Sequence, residues 1–420
     1  MKTIIKRNGE AVPFDESKIF NAIYAANKAV KDEPMTNIDF EYLTKKVLQQ
    51  LDGDQCTVEQ VQDIVESMLI KYDYEKTAKA YILYRAEHAK IRDAESDLMN
   101  IYNELTYSDS KDADIKRENA NIDGDTSMGT MLKYGSEGAK YYVDNYVLPK
   151  EIAKAHINGD IHIHDKDFYM LTETCCQIDL IKLFKDGFCT GHGYLRAPQS
   201  IMSYASLACI AIQANQNEMH GGQSVPNFDY SMAPGVAKTY VKEYYEALAQ
   251  SLAVRLDITY EEAYAIAKKI KEKVPAPTLS NADAFEAELC KWFTQADDKL
   301  GLDGKVLVAA HKNAADTAYI NTDKATFQAM EALVHNLNTM NSRAGAQVPF
   351  SSVNYGTDTS PEGRMVMKNL LLATDNGLGN GETPIFPVQI FKVKEGVNYN
   401  PEDPNYDLFR LAIKTSAKRL

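Results

Sequence analysis

Two residues near the start of the chain limit what its first segment can become. Asn8-Gly9 separates two short β-prone runs, Thr3-Ile4-Ile5-Lys6 and Glu10-Ala11-Val12-Pro13-Phe14. Both residues tolerate positive φ, so the run predicts a tight antiparallel hairpin. Asp15 follows at a helix N-cap position, ahead of Ile19, Ile23 and Ala26 at helical spacing. Thr57 is a second cap, with Gln60 three residues on to complete a capping box, then Val61, Ile64, Val65 and Met68. A last helix begins near Tyr74 and carries Ala80, Leu83, Tyr84 and Ile91. Residues 1–95 therefore read as a hairpin followed by four short helices, a small α+β unit.

Residues 96–125 are polar and charged around Ser108-Asp109-Ser110-Lys111-Asp112, which predicts a linker or exposed helix junction. Residues 126–420 read as a large α/β domain. Ile161-His162-Ile163-His164 alternates as a strand would. Gln347 to Tyr355 and Ile385 to Phe391 read as further strands, with helices such as Val236 to Val254 and Tyr260 to Lys273 between them.

The chain has 59 acidic and 46 basic residues, a net charge of -13. Without a global positive field, neither nucleic acid nor an anionic membrane is expected as a main partner. Nucleotides remain open, since they need only a few local cations. No apolar run approaches the roughly 20 residues of a membrane span, and no signal-peptide core follows Met1, so a cytoplasmic protein is expected. The six cysteines, Cys56, Cys175, Cys176, Cys189, Cys209 and Cys290, contain no CxxC pair. That excludes four-ligand zinc spacing and, in a reducing compartment, a disulfide framework. Cys56, Cys209 and Cys290 read as small core residues.

Several positions carry candidate chemistry. Lys6 and Arg7 sit at the lip of the hairpin and Lys18 in the first turn of the next helix. Three cations near helix-start N–H groups suit a triphosphate, and Asp15 and Thr57 offer hydrogen bonds to base or ribose. Two exposed cations on a hairpin explain Lys6 and Arg7 equally well. In an extended strand Cys175 and Cys176 would face opposite sides, while His162 and His164 would share one. The two histidines read either as structural imidazoles or as substrate contacts. A metal pair would lack a third ligand, so no metal site is expected. His220-Gly221-Gly222-Gln223-Ser224 reads as a ligand loop or a tight turn. Asn341 and Arg343 precede a strand, where a guanidinium could meet a triphosphate or form a salt bridge.

The motifs taken in order are more specific. Ile4-Ile5-Lys6-Arg7-x-Gly9, Phe14-Asp15-x-x-Lys18-Ile19, Thr57 and Thr77-Ala78-Lys79-Ala80-Tyr81-Ile82-Leu83-Tyr84-Arg85 together resemble the ATP-cone, the adenine-nucleotide sensor of ribonucleotide reductases. The resemblance implies ATP and dATP as effectors, with Ile4, Lys6, Arg7, Asp15, Lys18 and Thr57 at the nucleotide. Further on come Arg117 to Gly124, Gly159 to Asp165, Cys175 to Leu180, His220 to Ser224, Asn341 to Phe350, Gly377 to Pro387 and Asp403 to Asp407. This series is similar to the large subunit of anaerobic, glycyl-radical ribonucleoside-triphosphate reductases.

That likeness implies the N-terminal part of a ten-stranded α/β barrel, homodimeric, with ribonucleoside triphosphates as substrates. It implies Cys175 as the substrate-face thiol; His162, His164, Asn341 and Arg343 are candidate substrate contacts on the reading of the residues alone. The family also uses a second cysteine on a central loop, a C-terminal glycyl radical, a four-cysteine zinc site and a radical S-adenosylmethionine activating enzyme. No residue here fits the second cysteine, the glycyl motif or the zinc ligands, so a chain that binds nucleotides without turning over is expected. The alternatives are a non-catalytic ATP/dATP-sensing protein and a cobalamin-dependent reductase, which can also carry a cone.

Overall fold

The computed structural model describes residues 3–6, 10–51, 53, 55–107, 126–169, 173–295 and 303–419. The chain divides into two compact units, Met1–Tyr107 and Ser108–Leu420.

In the first unit, β1 (Thr3–Ile5) pairs antiparallel with β2 (Ala11–Pro13), as the hairpin reading expects; Arg7, Asn8 and Gly9 lie outside the described residues. A third strand escaped the sequence reading. β3 (Gln55–Thr57) runs parallel to β1, with Ile4 opposite Cys56 and Ile5 opposite Thr57. Four helices follow the expected order: α1 (Ser17–Lys28), α2 (Asn37–Gln50), α3 (Val58–Lys71) and α4 (Glu75–Tyr107). Ile19, Ile23 and Ala26 of α1 are buried, and so are Val61, Val65 and Met68 of α3. They share one core with Phe40, Leu43, Val47 and Leu69. Truncating a fully buried leucine such as Leu43 to alanine would cost about 2–5 kcal/mol.

Two expectations shift here. α4 is not short: it runs through the first part of the stretch expected to be a junction, to Tyr107. Its buried face is Thr77, Ala78 and Tyr81, while Leu83 and Tyr84 are exposed. Its apolar residues are more numerous than one face can hold, so spacing alone does not identify the buried stripe.

The second unit opens with α5 (Ser127–Tyr142), one π-helical turn (Val143–Val147) and α6 (Lys150–Ile157). After a 3-10 turn at Lys166–Phe168 come β4 (Cys176–Gln177), α7 (Leu180–Asp186), the hairpin β5 (Phe188–Cys189) and β6 (Tyr194–Leu195), and α8 (Ile201–Asn215). The remaining elements are β7 (Gln223–Val225), α9 (Phe228–Leu256), α10 (Tyr260–Lys273), α11 (Ala282–Gln295), α12 (Gly304–Thr339), β8 (Ser351–Tyr355), α13 (Pro361–Asn376), β9 (Val388–Phe391) and α14 (Tyr406–Arg419). No helix among the described residues is long and apolar enough to cross a membrane.

The central sheet has the order β4-β7-β8-β9 with every pair parallel, so the unit is an α/β domain. Cys176, Gln223 and Ser351 are in register, and Val225 lies opposite Val353. Val225, Val353 and Tyr355 are buried against Ala208 and Ile212 of α8, Met232 of α9, Leu333 of α12 and Leu370 of α13. A second core joins α9, α10, α11 and α12 through Tyr244, Leu248, Ala267, Leu289 and Ala314. The long helices α9 and α12 pass through both cores and tie the sheet layer to the bundle.

Asp229, at the start of α9, fixes the turn beyond β8. Its Oδ2 accepts hydrogen bonds from the backbone N–H groups of Gly356, Thr357 and Asp358 at 2.9, 3.0 and 3.0 Å. One expected strand is absent: residues 161–164 form a bend and the start of a turn. Without a partner strand, alternation of side chains does not by itself make an extended ladder.

Candidate nucleotide sites

Side chains alternate across a strand, so the register of the helix-facing row fixes the opposite face. Gln177, Ser224, Ser352 and Asn354 lie on that other face, with Val388 opposite Ser352 and Ile390 opposite Asn354. Gln177 is exposed, and Ser224, Ser352 and Asn354 are partly so. Parallel sheets are ordinarily covered on both faces. Here one face is packed on helices and the other is open, with Gln177, Ser224, Ser352 and Asn354 beside the exposed Val388 and Ile390.

A cavity of about 300 Å³ sits on this open face, bordered by Cys175, Cys176, Gln177, Gly222, Gln223, Ser224, Phe350 and Ser352. Cys175 is exposed just before β4. Cys176 also borders the cavity, but its sulfur accepts a hydrogen bond from Asn215 Nδ2 at 2.9 Å and it packs against the helix-side core. Burial pushes the Cys176 thiol above its ordinary value, against the Asn215 hydrogen bond. The same Asn215 amide donates to Gln223 Oε1 at 2.8 Å, clamping β4 to β7 from behind. The two cysteines thus differ in environment, although both touch the cavity.

Gly221 and Gly222 make the cavity floor possible. Gly221 has φ +93°, and a Cβ there would be driven into the Thr174 carbonyl and come within 3.3 Å of the Cys175 sulfur. A Cβ on Gly222 would press the Phe350 ring at 3.2 Å.

The remaining candidate residues are not in the cavity wall. Arg343 Nε donates to Gln347 Oε1 at 2.7 Å, and its Nη1 donates to the carbonyls of Gln216 and Met219 at 3.1 and 3.2 Å. The guanidinium holds the loop that leads into His220. Asn341 is exposed beside that turn. His162 and His164 are exposed in the bend, their rings 6.0 Å apart. His164 Nε2 lies 3.1 Å from Asp165 Oδ2, and the buried His220 Nε2 lies 3.0 Å from the same oxygen, off the line of a hydrogen bond. His220 stacks on Phe168 at 4.1 Å. Burial lowers the His220 pKa, opposed by Asp165 and Asp167. Among the described residues no group of three or more His, Cys, Asp or Glu side chains could hold a metal ion.

In the first unit, Ile4 lies on β1 and packs partly on the core, and Lys6 follows the strand, its Nζ 2.9 Å from Glu10 Oε2. Thr57 stands beside Ile5 and caps α3, accepting from the Gln60 N–H at 3.2 Å, while Gln60 Oε1 accepts from the Thr57 N–H at 2.9 Å. The chain leaves the sheet at Pro13, opposite Thr3 and away from Lys6. Asp15 is not the N-cap residue of α1. Its Oδ1 takes hydrogen bonds from the Ser17 hydroxyl and N–H at 2.6 and 3.0 Å, which hold its carboxyl below the ordinary value. Lys18 is exposed. Arg7 is outside the described residues.

A second cavity, of about 350 Å³, was not foreseen. It lies against α9 and α10 and is bordered by Lys238, Lys242, Lys271, Tyr245 and Tyr264. Lys238 Nζ donates to the Pro198 carbonyl at 2.8 Å, and Lys271 sits 5.3 Å above the Tyr245 ring. The Tyr245 hydroxyl is buried without a hydrogen-bond partner among the described residues, and burial pushes its pKa up to about 12. The available signal was Lys238 and Lys242, four apart on a helix otherwise largely buried.

Comparison with known proteins places these features. Residues 2–90 match the ATP cone domain, and residues 118–420 match the family described as anaerobic ribonucleoside-triphosphate reductase. The anaerobic ribonucleoside-triphosphate reductase of Escherichia coli (strain K12) is 27% identical over 426 residues, covering 99% of this chain and 50% of that protein. The vitamin B12-dependent ribonucleoside-diphosphate reductase of Thermoplasma acidophilum is 40% identical over 111 residues, covering 25% of this chain and 14% of that protein. The crystal structure of the anaerobic ribonucleotide reductase from Thermotoga maritima in complex with dATP and CTP is similar at a TM-score of 0.40 and 13% identity, covering 79% of this chain and 48% of that one. A likeness at that level establishes no correspondence of residues. The chain spans about half the length of the Escherichia coli relative. The match over residues 118–420 covers more than half of this sequence, and the cobalamin-dependent relative covers a quarter of it. The chain belongs to the anaerobic ribonucleoside-triphosphate reductase family.

Proposed function

We propose that this chain carries the nucleotide-sensing module and the substrate-face thiol of an anaerobic ribonucleoside-triphosphate reductase. The observation that carries the reading is Cys175, exposed at a cavity on the open face of an otherwise helix-covered parallel sheet. An open face suits the interior of a barrel, and its outer face is already packed on helices. A ribonucleoside triphosphate would lie on this face with its ribose at Cys175, whose thiol is a hydrogen donor for reduction of the sugar. A glycyl radical and its thiol relay supply the radical chemistry in this family. The zinc site, the activating enzyme, a homodimer and a cytoplasmic setting belong to the same proposal.

Residues 1–95 bind ATP and dATP as effectors through Ile4, Lys6, Arg7, Asp15, Lys18 and Thr57, with residues 96–125 as the junction and 126–420 as the partial barrel. The lysine-lined cavity against α9 suits a second nucleotide's phosphates. Three lysines border it, Lys242 lying 3.8 Å from the carboxylate of Glu246, which borders it too, and the Tyr245 hydroxyl has no hydrogen-bond partner among the described residues.

The test uses the full-length protein with its activating enzyme. Cys175→Ser should abolish deoxynucleotide formation while ATP still binds, and Lys6→Ala should weaken ATP binding about tenfold by losing a charge-assisted contact. Residual reduction by the Cys175→Ser enzyme would remove the catalytic assignment. Unchanged ATP affinity for Lys6→Ala would remove the cone assignment.

A further inference from the structure

We propose that Phe350 is the wall against which the substrate's nucleobase packs, so that Phe350 and Cys175 together set the position of the ribose. This rests on the reading of the open-face cavity as the substrate site. Cys176, Gln223 and Ser351 form one row across three strands and face the helices. The residues immediately before them are Cys175, Gly222 and Phe350, joined by the hydrogen bonds from Cys176 N–H to Gly222 O at 3.2 Å and from Gln223 N–H to Phe350 O at 3.0 Å. By alternation these three form the neighbouring row on the open face.

The row is a slot. Cys175 and Phe350 stand two strands apart, roughly 10 Å at ordinary strand spacing. Between them Gly222 has no side chain, and even a Cβ would crowd the Phe350 ring. The floor of the next row is polar: Gln177, Ser224 and Ser352. Phe350 is 46% exposed, while its ring is held from one side by Phe386 at 5.2 Å. A large aromatic ring, braced on one side and bare toward a cavity with both polar and apolar walls, is suited to hold a second planar ring. A base lying on Phe350 leaves its sugar over Gly222, in front of the Cys175 sulfur. Stacking of this kind is tolerant of base identity, because every base has a π-face. It therefore suits an enzyme that takes more than one nucleotide.

The experiment reads protection of Cys175 from alkylation by iodoacetamide, followed by mass spectrometry of the modified peptide, in the 420-residue chain. The probes are CTP and ribose 5-triphosphate, which lacks a base. Both should slow alkylation of the unmodified chain. Phe350→Ala should raise the CTP concentration needed for half protection about tenfold, leave that for ribose 5-triphosphate unchanged, and be rescued by Phe350→Trp. Gly222→Ala, which pushes on the ring without removing it, should weaken CTP more than ribose 5-triphosphate. CTP protection unchanged in Phe350→Ala would overturn the stacking role while leaving the substrate site intact. Equal weakening for both probes would also overturn it, since the ring would then only support the fold. No protection by CTP in the unmodified chain would remove the substrate site and this inference together.

Discussion

The Arg343 guanidinium donates to two carbonyls of one loop, those of Gln216 and Met219, and to its own turn through Gln347. These carbonyls end the segment after α8 and precede His220-Gly221-Gly222, so Arg343 sets the loop that forms the cavity floor. Removing it would strand half-buried acceptors, which costs about 1–3 kcal/mol. Arg343→Ala should therefore lower the melting temperature, and Arg343→Lys, with one point charge in place of a planar fork, should recover only part of the loss. Calorimetric melting of both variants checks this, and a wild-type melting temperature for Arg343→Ala would refute the strut role. An arginine beside a strand reads identically in sequence whether it meets a phosphate or a carbonyl. Its two carbonyl partners lie more than 120 residues away in the chain, and spacing cannot reveal them. Period two, which needs only adjacent residues, does separate the exposed Cys175 from Cys176 on the core side, although both border the cavity.

At the scale of elements, the N-terminus of α4 is closed by a residue from another part of the fold. Glu33 Oε2 accepts from the Thr77 N–H and hydroxyl at 2.8 and 2.7 Å, and Oε1 from the Lys76 N–H at 3.2 Å. Asn27 Nδ2 donates to Thr77 Oγ1 at 2.8 Å, adding α1 to the junction. Burial pushes the Glu33 pKa up, but these hydrogen bonds outweigh it and the net shift is below the ordinary 4.5. A carboxylate with a depressed folded pKa stabilises the fold above its unfolded pKa. That contribution is lost as pH falls through the lower, folded value. Glu33→Gln should lower the melting temperature at pH 7, and the gap to wild type should close below about pH 4.5. A gap independent of pH would show that the charge has no part in the cap. The Thr57 capping box was readable because its partners are three residues apart. The Glu33 cap was not, since its partner is 44 residues away. β3 was missed for a related reason: its parallel partner β1 lies far back in the chain, and three residues carry too little periodicity to announce a strand.

Three apolar cores form among the described residues, one in Met1–Tyr107 and two in Ser108–Leu420. The first joins residues from β3, all four helices and the hairpin strand β1, and among the described residues it draws on none beyond Tyr81. A unit with its own core should melt as its own cooperative transition. Calorimetry of the 420-residue chain should therefore show more than one transition, with one reproduced by a segment spanning residues 1–107. A ligand at about 100 times its dissociation constant adds about 2.7 kcal/mol to the state that binds it. For a domain of this size that corresponds to a rise of roughly 10–20 °C. dATP should move the first-unit transition by this amount, both in the chain and in the isolated segment. Because the cavity on the parallel sheet is lined by different residues, CTP should act on the other transitions instead. A single transition that shifts as one with either nucleotide would show that the cores melt together, and the division read from their contacts would have to be abandoned.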